Sequence, residues 1–122
     1  MKKEDYNVYL KHKCYAFEVK GDSMNNGKID SFEEGDIVLS IEINPDEFKQ
    51  VINNDLSDFW ILDIGDALIM KQITEFKNNK LTCHSLNPSA EYKDFSLNIN
   101  NISRIYKITG VRHKIVSLGD LD

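Results

Sequence analysis

Phe59-Trp60-Ile61-Leu62-Asp63-Ile64-Gly65-Asp66-Ala67-Leu68-Ile69-Met70-Lys71-Gln72-Ile73-Thr74 is the stretch that decides the fold of this chain. Two β-favouring runs flank the turn signal Asp63-Ile64-Gly65-Asp66, which predicts an antiparallel hairpin. Side chains on a strand alternate between faces. Lys71 therefore shares a face with Ala67, Ile69 and Ile73, and the other face holds Leu68, Met70, Gln72 and Thr74. A single lysine on the drier face is out of pattern. It is either a strand-end lysine that snorkels into water or an amine kept dry for a chemical purpose.

The same punctuation continues on both sides. Upstream, Tyr15, Phe17 and Val19 alternate with Ala16, Glu18 and Lys20, a half-buried strand that stops at Gly21-Asp22. Asn25-Asn26-Gly27-Lys28 forms a loop, with Ile29 and Phe32 expected to anchor it to the core. A second turn, Glu33-Glu34-Gly35-Asp36, precedes the strand Ile37 to Ile43. Asn44-Pro45-Asp46-Glu47 then reads as a helix start: a capping Asn, Pro at the first position and acids in the first turn. Phe48, Val51 and Ile52 give that short helix its apolar stripe, and Asn53-Asn54-Asp55 ends it. Downstream of the hairpin, Asn78-Asn79 turns the chain into a strand from Leu81 to Ser85, broken by Leu86-Asn87-Pro88-Ser89. A loop through Tyr92 and Phe95 leads to a last strand, Ile102 to Val111. Short strands at this turn spacing predict a mostly β fold, a compact antiparallel barrel or sandwich with one short helix. It should occupy residues 15–114, between an extension at 1–14 and a tail at 115–122.

Length and charge narrow the functions. At 122 residues the chain reads as one domain with one sizeable core. Its net charge is −5, and its basic clusters, Lys11-His12-Lys13 and Arg112-His113-Lys114, are short enough to read as solvated surface. Phosphate neutralisation needs a broader basic face, so this chain alone is not expected to grip DNA. No apolar stretch reaches membrane-spanning length, and the first residues carry no apolar signal region. A cytoplasmic protein without membrane contact is the expectation. Cys14 and Cys83 lack metal-ligand spacing, and the neighbours Cys83 and His84 would point to opposite faces of a strand. No metal or cofactor site is expected. Asp22, Asp36, Asp63 and Asp66 lie close to glycines and read as turn residues.

The chemistry gathers on Ser23 and Lys71. A serine hydroxyl is a weak nucleophile until a base takes its proton. A lysine is protonated at neutral pH unless desolvation lowers its pKa. A lysine base therefore belongs on an apolar face, where Lys71 lies. Ser23 in Gly21-Asp22-Ser23-Met24 sits at a turn, which exposes a hydroxyl beside backbone N–H groups, as an oxyanion site requires. The plainer reading of Ser23 is a turn residue bonding its own backbone. If the pair acts as a dyad, Lys71 should lie within reach of Ser23 in a cleft walled by Met24, Ile69 and Ile73.

Phe17-Glu18-Val19-Lys20-Gly21-Asp22-Ser23-Met24, Gly35-Asp36-Ile37-Val38, Lys71-Gln72-Ile73, Leu86-Asn87-Pro88 and Ile105-Tyr106-Lys107-Ile108-Thr109-Gly110-Val111, in that order, resemble the peptidase domain of LexA-like repressors. That family includes phage repressors and UmuD-type mutagenesis proteins. The resemblance runs from about Tyr15 to His113. It implies a β-rich serine peptidase domain with Ser23 as nucleophile, Lys71 as general base, and an oxyanion site at the backbone N–H groups of Asp22 and Ser23. It further implies a homodimer, cleavage of the protein's own upstream segment, and a role in transcriptional control of the SOS-response kind. DNA would be contacted only through a separate helix-turn-helix domain, for which this chain has no segment. The Ser-to-Lys separation, 71 − 23 = 48 residues, is long for LexA itself, and the short helix accounts for the excess. The residues before Ser23 contain no Ala-Gly or Cys-Gly bond of the kind this family cuts. The chain is thus expected to be the peptidase domain of a larger regulator or a stand-alone relative.

Two other functions remain open at this stage. One is a non-catalytic dimerisation and sensing domain on the same fold, with Ser23 and Lys71 idle. The other is a membrane signal peptidase, which uses a similar dyad but needs an anchor.

Overall fold

The computed structural model describes residues 12–29, 31–52 and 59–113. The helix end expected at Asn53-Asn54-Asp55, most of the extension 1–14 and the tail 115–122 lie outside them. The elements run β1 (Cys14–Glu18), β2 (Ile37–Ile43), α1 (Pro45–Ile52), β3 (Phe59–Asp63), β4 (Leu68–Lys77), β5 (Lys80–His84), β6 (Phe95–Asn98) and β7 (Arg104–Arg112). The strands form one antiparallel sheet in the order β1-β2-β7-β3-β4-β5-β6. Because β1 and β6 remain edges, the fold is the sandwich form of the expectation and not a closed barrel.

The central strands are apolar on both faces, as strands covered on both sides must be. On β3, Trp60 and Leu62 enter one core and Ile61 the other; on β7, Ile105 and Tyr106 divide the same way. The first core is closed by α1 through Phe48 and Ile52, both fully buried. Phe48 meets Trp60 edge-on, with ring centroids 5.0 Å apart. The Asn44 side chain caps this helix, its Oδ1 accepting the Glu47 N–H at 2.8 Å. The indole N–H of the fully buried Trp60 has no hydrogen-bond partner among the described residues. The second core is smaller: Val19, Met24, Phe32, Val38, Ile61 and Tyr106. It is roofed by the chain between β1 and β2.

Several local expectations change. β1 ends at Glu18, because Val19 and Gly35 leave the ladder to bond each other's neighbourhood: Val19 N–H to Asp36 C=O at 2.8 Å and Gly35 N–H to Val19 C=O at 2.9 Å. Phe32 anchors the loop as expected, edge-on to Phe59, but Ile29 is 96% exposed. β6 falls where a loop was expected; four residues are too short for alternation to register. Ile102 precedes the last strand, capping a 3-10 turn at Ile99–Asn101. On β7, Ile105 and Tyr106 are both buried within the chain. Asn78 and Asn79 both take positive φ (54° and 61°), the geometry of a tight hairpin turn.

Candidate active site

The turn that carries Ser23 begins at Gly21, whose φ of +70° favours glycine. Its N–H donates to Glu34 Oε1 at 3.2 Å. The Asn25 N–H donates to the Asp22 C=O at 3.1 Å and closes the turn. Met24, 2% exposed, plugs it into the second core, and its C=O accepts the Phe32 N–H at 2.9 Å. Ser23, between these fixed points, is half-buried.

Lys71 comes from the middle of β4, paired across the ladder with Trp60. It is 8% exposed, and its Nζ lies 3.0 Å from Ser23 Oγ. That is hydrogen-bond distance. Burial holds the Lys71 amine below the ordinary lysine range, and the nearby Cys83 thiol opposes this only in part. Burial pushes Cys83 itself up to about 11, so it stays a protonated, unreactive thiol near the lysine.

Ser23 and Lys71 open into a cleft of about 330 Å³. Its lining includes Val19, Met24, Val38, Ile61, Ile69 and Met70, a mostly apolar wall to which Glu18 and Lys20 add an exposed ion pair. Ser23, Lys71, Met24 and Ile69 are thus brought together. Ile73 is not: it shares a face of β4 with Lys71 but is fully buried in the first core with Leu81 and Cys83, outside the cleft lining. The other aspartates stay outside the cleft lining. Asp36 is more than a turn residue: it is 1% exposed, accepts the Glu33 N–H at 2.9 Å and pairs with His113 Nδ1 at 3.1 Å. His12 likewise is not idle surface, since its Nε2 lies 2.7 Å from Glu47.

Three contacts to the serine turn come from two residues that sequence reasoning left in loops. Asn87 N–H donates to the Ser23 C=O and Asn87 Nδ2 to the Asp22 C=O, each at 2.9 Å. The Tyr92 hydroxyl donates to Asp22 Oδ1. Asn87 stood in a recognisable Asn-Pro break; nothing in the sequence singled out Tyr92.

The sandwich brings a buried lysine to a turn-borne serine, and the sequence profile of one family spans both residues. The Peptidase S24-like profile matches residues 2–110, and the chain belongs to that family. No curated protein matches the chain. No helix among the described residues is long and apolar enough to cross a membrane.

Proposed function

We propose that this domain is a Ser-Lys peptidase that cuts a peptide bond in its own upstream segment, within a LexA-like or phage-repressor-like transcriptional regulator. The observation that carries the reading is the 3.0 Å approach of Lys71 Nζ to Ser23 Oγ inside an apolar cleft. A neutral Lys71 amine takes the Ser23 hydroxyl proton while Oγ adds to the scissile carbonyl carbon. The backbone N–H groups of Asp22 and Ser23 hold the resulting oxyanion. Collapse of the tetrahedral intermediate breaks the C–N bond, and the Lys71 ammonium gives its proton to the leaving amine. Water then attacks the acyl-serine with Lys71 again as base, releasing a carboxylate and restoring Ser23.

The test is a fusion of this domain to the segment that precedes it in the native chain. Cleavage should rise with pH as Lys71 loses its proton. Ser23→Ala and Lys71→Ala should each lower it at least about 100-fold, the scale of a lost acid–base group, with the circular dichroism unchanged. Equal cleavage by either variant sinks the dyad and leaves the non-catalytic sensing domain.

The regulator is further proposed to be a cytoplasmic homodimer that reaches DNA through a separate helix-turn-helix domain. Val111, 40% exposed near the end of β7, supports an apolar docking face on the last strand. A sedimentation profile showing monomer alone at high concentration would remove that part.

A further inference from the structure

The loop 86–92 grips the nucleophile turn at three points, and it is built to do so. Asn87 Oδ1 accepts the Ser89 N–H at 2.9 Å, which orients the side-chain amide so that its NH₂ end faces the Asp22 C=O. Tyr92 N–H donates to the Ser89 C=O at 2.9 Å, and Pro88 fixes the backbone between. The loop thus holds its own shape before it touches the serine turn. It then takes two consecutive carbonyls, Asp22 C=O and Ser23 C=O, on one residue. In a trans peptide the N–H points opposite to the C=O. Fixing the Asp22 C=O therefore also fixes the Ser23 N–H, on the far edge of the same peptide plane. Fixing the Ser23 C=O on the other side sets the torsion from which Oγ departs. The Tyr92 hydroxyl ties down the Asp22 side chain as well, and that carboxylate pushes the phenol up to about 12. Tyr92 consequently remains a donor throughout the range in which a lysine held below its ordinary value sheds its proton.

We propose that Asn87 and Tyr92 are positioning residues for acyl transfer: the loop 86–92 aims Ser23 Oγ at Lys71 and the Ser23 N–H at the developing oxyanion. This rests on Ser23 being the nucleophile. Neither residue touches substrate in this role, and neither lines the cleft. Their effect should appear in the chemical step and not in binding.

The experiment uses a fluorophosphonate probe, which phosphonylates an activated serine with loss of fluoride, and follows Ser23 modification of the whole chain by mass spectrometry. Rates are measured against probe concentration well below the melting temperature. Asn87→Asp keeps the acceptor for Ser89 and loses the donor to Asp22. Its rate at saturating probe should fall about ten- to a hundred-fold, the scale of a slightly misplaced reacting group, with the half-saturating concentration unchanged. Tyr92→Phe should lose rate in the same direction by less. A purely structural role would lower the melting temperature and leave the saturating rate intact. Wild-type rates in both variants, with labelling still dependent on Lys71, overturn the proposal and spare the peptidase reading. Labelling that ignores Lys71→Ala overturns the peptidase reading, and this proposal with it.

Discussion

The two sides of the sheet are held by different forces. The side under α1 is sealed by side chains: Phe48, Ile52, Trp60, Leu62, Ile73 and Leu81 are each fully buried and apolar. The side under residues 19–36 has half as many core residues and is held largely by hydrogen bonds to backbone. Three of the buried polar groups, Ser31, Asp36 and Ser40, lie in or against this side. Ser31 Oγ donates to Lys28 C=O at 2.7 Å and Ser40 Oγ to Tyr15 C=O at 3.2 Å. A packed side resists any void, whereas a bonded roof leaves a cleft open beneath it. The domain therefore draws most of its apolar burial from the α1 side, while Ser23 and the cleft it shares with Lys71 open at the bonded roof.

The sharpest way to break this contrast is a matched pair of truncations. Phe48→Ala leaves a hole among rigid neighbours and should cost about 3–5 kcal/mol in urea denaturation. Phe32→Ala opens its hole under a loop that can settle inward, and should cost clearly less, since the penalty depends on how well a site collapses. Equal losses would show that the roof is as rigid as the helix side. Next in size is Asp36→Asn. It weakens the bonds to Glu33 N–H and His113 and should destabilise by about 1–3 kcal/mol. A variant as stable as the parent would mean that the buried charge contributes nothing to the roof.

The smallest effect has the opposite sign. Lys71 has a folded-state pKa below its unfolded value, so between the two the unfolded chain binds more protons and stability rises with pH. Below the folded pKa the cost of burying the ammonium is present in full. Lys71→Met removes it and should raise stability at pH 7 by about 1 kcal/mol. That gain should shrink as the pH climbs through the folded-state pKa, and the buried-charge cost vanishes only above 10.5, where the wild-type lysine becomes neutral in the unfolded chain as well. A gain that grows with pH would contradict the burial of the amine.

The packed side was the legible one. Period-two and helical patterns, the Asn44-Pro45 helix start and the Asn78-Asn79 turn are local signals, and β2, α1, β4 and β5 follow them closely. Lys71 was legible for a related reason: an amine breaks an apolar alternation that would otherwise continue through Ile69 and Ile73. The roof was not. Asp36 pairs with a residue 77 positions away and Tyr92 with one 70 away, and no pattern within a window of sequence encodes such contacts. Ile29 misled because an apolar residue in a loop suggests an anchor, while nothing local says that Phe32 alone fills the space. Ile73 misled because alternation gives a side chain's face but not which cover lies over that face.

Trp60 is the only tryptophan in the chain. Its indole is shut away from water, with no partner for its N–H among the described residues. The tryptophan fluorescence of this protein, excited above the tyrosine absorption, is therefore the light of one ring, which should emit at the blue end of its range until the helix beside it comes away. An optical melting curve will register the failure of the packed side. It can pass in silence over a roof that has already lifted from the serine.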